Sequence, residues 1–134
     1  MTTPKAKLAG LALIAALCAG FTLGLTAPAW AGWDEGVAAF NRGDYATALR
    51  EWRPLAEQGH ADAQNNLGFM YDDGEGVPQD YVQALMWYNL AASKFSPGED
   101  RDQAVENRDI VAKKMTPSQK SEAQKLAREW KPKK

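Results

Sequence analysis

The sequence predicts an all-α domain built as an α-solenoid of antiparallel helix pairs, with about six short helices. Apolar residues recur at spacings of three and four in several segments, whereas no window after residue 32 shows the alternating pattern of a strand. Glycine and proline separate these segments at short intervals. One segment also recurs at a fixed offset along the chain, and this recurrence favours a solenoid over a simple bundle.

The first 31 residues have the composition of a secretory signal peptide. Two lysines precede an apolar run over residues 8–25, and Ala29 and Ala31 give the small-x-small pattern of a cleavage site. We expect cleavage after Ala31 and export, which in a bacterium with two membranes leads to the periplasm. A retained membrane anchor is the alternative, because the run is nearly long enough to span a bilayer. After cleavage we expect no membrane insertion.

The composition after this leader excludes several classes of function. The leader holds two lysines and no acidic residue, so the formal net charge of −1 for the whole chain becomes −3 once it is removed. An acidic domain does not bind nucleic acid by neutralising phosphates along a basic face. The single cysteine, Cys18, lies in the leader, and the single histidine, His60, cannot form a metal site rich in imidazole. We therefore expect no disulfide, metal or cofactor in the exported chain.

Turn and capping residues divide the rest of the chain into helices. The first four helices are predicted at 33–41, 44–58, 61–72 and 80–94. Asp44 and Asp80 are suited to cap the second and fourth helices. Ser96 and Thr116 each precede a proline and have Glu or Gln three residues on, so they predict capping boxes for the last two helices. The tail 131–134 cannot continue a helix through its proline, and we expect it to fray.

A repeated motif supports the solenoid. The pattern Asp-Tyr-x-x-Ala-Leu begins at Asp44 and again at Asp80, an offset of 36 residues, and the same offset pairs Trp52 with Tyr88. A period of this size, with two helices in each unit, is typical of an α-solenoid. Small residues then allow paired helices to approach closely, while aromatic residues fill the wedge between units. A four-helix bundle with accidental similarity is the alternative.

The residues around this motif carry a family resemblance. The run LAEQGHADAQ from Leu55, continued by LGFMY from Leu67, resembles a Sel-1-like repeat, as does DGEGVPQDY from Asp73 with the following ALxWY. The resemblance implies a tetratricopeptide-like scaffold for protein–protein interactions, without catalytic residues. We accordingly expect a helical domain over 32–130, composed of a degenerate first pair at 32–59, a full repeat at 61–96 and capping helices at 97–130.

The third helix carries the candidate binding face. Phe69 falls roughly 145° from the middle of the apolar stripe of that helix. Because the first helix of each solenoid pair usually lines the concave surface, this polar face with a central aromatic predicts a docking patch for a protein or peptide. The candidate residues are Asn65, Asn66, Phe69, Asp72 and Asp73. The alternative is that Phe69 packs against the neighbouring helix pair.

Other polar features have structural explanations. The acidic loop at 72–80 lacks the ligand spacing of a calcium-binding EF-hand, and its glycines suit a turn between helices. His60 has no catalytic partner nearby in sequence, and we expect it to lie in a solvated loop. The sequence therefore favours an exported, non-enzymatic interaction scaffold. An envelope enzyme acting on cell wall or a β-lactam, and a subunit of a larger solenoid assembly, are the alternatives.

Overall fold

The computed structural model describes residues 31–134, and these residues form six α-helices and no strand. The helices are α1 (Trp33–Asn41), α2 (Tyr45–Glu57), α3 (Ala61–Asp73), α4 (Tyr81–Lys94), α5 (Glu99–Ala112) and α6 (Pro117–Glu129). The predicted all-α class is confirmed, and the first four helices lie within one residue of their predicted bounds. The predicted signal peptide up to residue 30, with Cys18, lies outside the described residues.

The helices stack in chain order as far as α5. Each helix from α1 to α4 packs against the next one, and α3 also contacts α5, which is the arrangement of stacked antiparallel pairs. α6 departs from this order, because it packs mainly on α4. The first helices of the pairs, α1, α3 and α5, thus form one layer and the second helices form the other. Within the described part of the chain, no helix has both the length and the hydropathy of a membrane span.

Most of the predicted caps are present. The side chain of Asp44 accepts a hydrogen bond from the Thr47 amide at 3.2 Å, and Asp80 caps α4 in the same way. Thr116 and Gln119 form the predicted capping box. The predicted capping role of Ser96 is wrong. The N-cap residue of α5 is Gly98, whose φ of +154° is not helical. The helix therefore begins at Glu99, the first of its acidic residues.

Two glycines set the distance between the helices of the first two pairs. A Cβ on Gly36 of α1 would lie 2.2 Å from Nε1 of Trp52 in α2. A Cβ on Gly68 of α3 would lie 2.6 Å from the ring of Tyr88 in α4. Trp52 and Tyr88 occupy equivalent positions of the 36-residue repeat. In each unit, therefore, an aromatic ring packs against a glycine of the partner helix. The sequence predicted that aromatic residues fill the space between units, but it did not predict the glycines against which these rings pack.

The C-terminal tail is held in place. Beyond α6, the backbone N–H of Lys133 donates to the carbonyl of Glu57 at 2.7 Å, and its ammonium lies 3.0 Å from the Glu57 carboxylate. Just before it, Trp130 packs edge-on against Trp87, with ring centroids 6.5 Å apart. The tail is not helical, as predicted, but the expectation that it frays is wrong, because these contacts fasten it to the end of α2.

Candidate functional site

An apolar pocket opens between α1 and α3. It has a volume of about 340 Å³ and is lined by Val37, Phe40, Asn41, Trp52, Asn66 and Phe69. We call it the aromatic pocket. Phe69 is 39% exposed at this pocket, and Ile110 is the other exposed large apolar side chain in the described part of the chain. A pocket of this kind, with one exposed aromatic ring, is suited to receive an apolar side chain of a partner.

Packed aromatic rings build the wall of the aromatic pocket. Phe40 meets Phe69 edge-on, with ring centroids 5.9 Å apart, and lies 5.5 Å from the ring of Trp52. Trp52 donates its indole N–H to the carbonyl of Trp33 at 3.4 Å, which fixes the orientation of the indole. Tyr45 packs on Phe40 from the far side, at 5.2 Å. The shape of the pocket is therefore set by mutual contact between rings rather than by single mobile side chains.

The structure brings together only some of the five predicted site residues. Asn66 and Phe69 line the aromatic pocket, and Asp73 is exposed at the end of the same helix. Phe69 also contacts the neighbouring pair through Phe40, as the alternative interpretation predicted, and the docking interpretation stays a prediction. Asn65 and Asp72 do not belong to the pocket, because they lie on the flank of α3 that faces α5.

The flank towards α5 is a structural contact. Asn107 donates to the side chain of Asn65 at 3.4 Å, and Lys114 donates to the largely buried carboxylate of Asp72 at 2.9 Å. The hydrogen bond that Lys114 donates to Asp72 raises the pKa of the Lys114 ammonium, which also lies 5.4 Å from the ring centroid of Tyr81. Asp72 therefore holds α3 to the end of α5 and is not available as part of a docking patch.

Sequence reasoning missed the half of the aromatic pocket that α1 and α2 contribute. The sequence predicts Trp52 as a core wedge, with an aromatic groove as the alternative, and it assigns no site role to Val37, Phe40 or Asn41. Trp33, Val37 and Phe40 stand at spacings of four and three, which indicates one face of α1. That spacing could have identified the face, but it could not show that α3 faces it across a gap.

His60 has a different role from the one expected. Its Nδ1 accepts a hydrogen bond from the Ala63 amide at 3.5 Å, so the imidazole caps α3, and its ring stacks on Trp33 with centroids 5.4 Å apart. Asp62 is 4.0 Å away from the same nitrogen. His60 thus lies between helices as expected, but it is half-buried and caps α3 rather than being free in solvent. In residues 31–134 no group of three or more metal-ligating side chains is arranged to hold a metal ion.

The acidic loop after α3 serves as a turn that rests on α2. Gly74 and Gly76 both have positive φ, at +72° and +73°, as the turn interpretation predicted. Gly76 lies so close to α2 that a Cβ would be 2.9 Å from the carbonyl oxygen of Tyr45. A hydrogen bond to Glu75 raises the pKa of the Tyr45 hydroxyl. This loop thus fixes the start of α2 beside the aromatic pocket.

Comparison with known proteins assigns the central helix pair. Residues 61–94, which contain α3 and α4, match the family described as Sel1 repeat. Over 66 residues the chain is 35% identical to an exopolysaccharide production negative regulator of Rhizobium leguminosarum bv. viciae, an overlap of 48% of this chain and 25% of the relative. The chain therefore aligns with only about a quarter of the length of that relative. Residues 61–94, the helix pair α3 and α4, therefore match a Sel1 repeat.

Proposed function

We propose that this chain is an exported, non-enzymatic scaffold that docks a protein or peptide partner in the aromatic pocket. A Sel1 repeat suggests a protein-interaction scaffold, which gives the general class of function. The observation that carries the specific site is Phe69, an aromatic side chain left 39% exposed at the edge of an apolar pocket. Aromatic residues in such positions commonly supply a large share of binding energy.

Export is part of the proposal and rests on the leader. The basic start, the apolar run and the Ala29-x-Ala31 site support cleavage and release beyond the inner membrane. Sequencing the N-terminus of material recovered from the periplasm tests this directly. A chain that begins at Gly32 supports the proposal, and a chain that keeps Met1 in the membrane fraction contradicts it.

The similarity to a negative regulator favours a role in regulation over catalysis. The overlap is 66 residues long, and a small helical domain can regulate another protein by binding it. We propose that this chain acts in the same manner, through a complex that the aromatic pocket helps to form. An envelope enzyme is the rival, and turnover of cell-wall or β-lactam substrates by the purified protein would establish it. A subunit of a larger solenoid would form a stable oligomer in light scattering.

Substitution of Phe69 tests the site. Phe69→Ala removes one edge-on contact with the ring of Phe40, and part of the Phe69 side chain is already exposed to solvent. We therefore expect the free energy of unfolding to fall by only about 1 kcal/mol. Crosslinking capture from envelope extract should then lose the band that the wild type captures. Ile110→Ala is the matched control, because it truncates an exposed apolar residue on α5 outside the pocket. A large fall in melting temperature for Phe69→Ala, or equal loss of the band in both variants, contradicts the proposed site.

A further inference from the structure

Charge is distributed unequally between the two helix layers. The first helices of the pairs, α1, α3 and α5, carry ten acidic and two basic side chains. The second helices, α2, α4 and α6, carry four acidic and six basic side chains. The aromatic pocket opens in the acidic layer, between α1 and α3, and neither of these two helices contains a lysine or an arginine. A bound segment would therefore meet a negative potential.

Three carboxylates lie on the faces that line the aromatic pocket. Asp34 precedes the lining residues Val37 and Asn41 by one and two helical turns, and Asp62 stands in the same relation to Asn66 and Phe69. Residues three, four and seven positions apart share a helix face. Asp73 follows Phe69 by four positions and lies on that face at its other end. All three are exposed.

These carboxylates are not neutralised by basic side chains. Within the described residues, neither Asp34 nor Asp73 forms an ion pair, and the ring nitrogen 4.0 Å from Asp62 belongs to His60, which already caps α3. The nearest arginine in sequence, Arg42, is held between Glu35 and Asp44 at 3.2 and 3.4 Å. The aromatic pocket is thus an apolar site with unpaired negative charge at both ends.

Building on the proposed function, we propose that the occupant of the aromatic pocket is a basic segment of a partner protein, with one apolar side chain between lysines or arginines. The apolar side chain enters the pocket beside Phe69. Asp62 and Asp73 are eleven residues apart on α3, a rise of roughly 16 Å, which an extended peptide covers in about five residues. Basic residues two or three positions before and after the anchor therefore reach both acidic ends.

Synthetic peptides test this inference without knowledge of the natural partner. We would measure fluorescence anisotropy of twelve-residue labelled peptides with a central phenylalanine and lysine, glutamine or glutamate at the second and third positions on each side. The protein would be residues 32–134. We expect the lysine peptide to bind at least tenfold more tightly than the glutamate peptide at 50 mM salt, and this preference to shrink at 500 mM salt, where charges are screened.

Paired protein variants locate the charge effect. Asp62→Asn combined with Asp73→Asn should weaken binding of the lysine peptide roughly three- to tenfold. Glu122→Gln combined with Glu129→Gln removes the same charge from exposed positions on α6 and should leave that affinity unchanged. An equal loss in both double variants would overturn the inference, because the attraction would then reflect only the net charge of the protein.

The result separates this inference from the proposed function. If the glutamine and lysine peptides bind equally, and both lose affinity in Phe69→Ala, the pocket is a docking site but its preference for basic segments is wrong. If peptides of every charge bind Phe69→Ala as well as they bind the wild type, the pocket itself is wrong. A concentration-dependent dimer that disappears on removal of the basic tail 131–134 would instead identify a second copy as the occupant and would overturn the proposal of a separate partner.

Discussion

The first helix pair and the second use the same packing device, but it is the ring of the first pair that borders the aromatic pocket. In each pair an aromatic ring of the second helix rests on a glycine of the first: Trp52 on Gly36, and Tyr88 on Gly68. Both rings are almost fully buried, at 3% and 1% exposure. Tyr88, however, packs in a cluster that includes Val111 of α5 and Met115 of the turn after it, whereas Trp52 borders the aromatic pocket.

The difference follows from position in the stack. The second pair is covered on both sides, by α2 on one side and by α5 and α6 on the other, so its aromatic ring is enclosed. Within the described residues, the first pair has a neighbouring pair on one side only. Its first helix, α1, lies beside α3, and the space between these two helices is not filled. The same local sequence device therefore encloses the ring in the second unit and leaves the ring beside an open pocket in the first.

The largest expected effect is loss of the contact that joins the two pairs. Leu67 of α3 is fully buried in the cluster that also contains Trp52 and Leu55 of α2. We expect Leu67→Ala to lower the free energy of unfolding by roughly 2–5 kcal/mol in urea denaturation, the range for a truncated buried leucine. Ile110→Ala, at an exposed position, should change it by less than about 0.5 kcal/mol. Equal midpoints for Leu67→Ala and wild type would mean that the pairs do not pack through this residue.

Adding a methyl group at each glycine compares the two units directly. Gly68→Ala places a Cβ against the enclosed ring of Tyr88. We expect this overpacking to lower the free energy of unfolding by about 1–3 kcal/mol, net of the higher helix propensity of alanine. Gly36→Ala should cost less, because Trp52 can shift towards the open aromatic pocket. The pocket should then change shape, and tryptophan fluorescence would report it. A greater loss of stability for Gly36→Ala would show that the first unit is packed as tightly as the second.

Alkaline pH should weaken the second unit through its aromatic ring. Burial raises the pKa of the Tyr88 hydroxyl above its usual value of 10.0, so at higher pH the unfolded chain loses a proton that the folded chain keeps. Stability contributed by this group is present below about pH 10 and falls as pH rises, by up to about 1.4 kcal/mol per pH unit.

Tyr88→Phe keeps the ring and removes the titrating group, so its stability should fall less steeply between pH 10 and 12. Lys114 and Tyr45, whose pKa values are also raised, contribute to the alkaline fall in both proteins and do not alter the comparison. The measurement is the free energy of unfolding in urea across this pH range. Parallel curves for the two proteins would argue against an enclosed Tyr88.

The smallest expected effect concerns the tail that reaches the first pair. Deleting residues 131–134 removes the hydrogen bond and the ion pair to Glu57, so we expect a loss of about 0.5–1.5 kcal/mol, mostly from the backbone hydrogen bond. Glu57→Gln, which breaks only the exposed ion pair, should cost about 0.5 kcal/mol or less. Hydrogen exchange at the end of α2 should rise in the deletion and stay unchanged in Glu57→Gln. Unchanged exchange in both would show that the tail does not hold this end.

Local signals in the sequence were sufficient for the helices and for the class of fold. Capping residues such as Asp44 and Asp80, and apolar spacing along each segment, act within one or two turns, so they can be recognised without knowledge of neighbours. The failures arose where the backbone path or a distant neighbour decides the role of a residue. Ser96 has the residues of a capping box but not the backbone path, and His60 looks solvated until Trp33 is placed over its ring.

The sequence by itself determined six helices and a 36-residue repeat, because helical periodicity and repeat spacing depend only on order along the chain. Only the tertiary structure decided which neighbours those residues have. Asn65 and Asp72 share a face with Phe69 in sequence, yet they turn to α5, while Phe40 of another pair completes the pocket. Such partners come from distant segments, and their position depends on how the pairs stack, which the periodicity of a single helix does not specify.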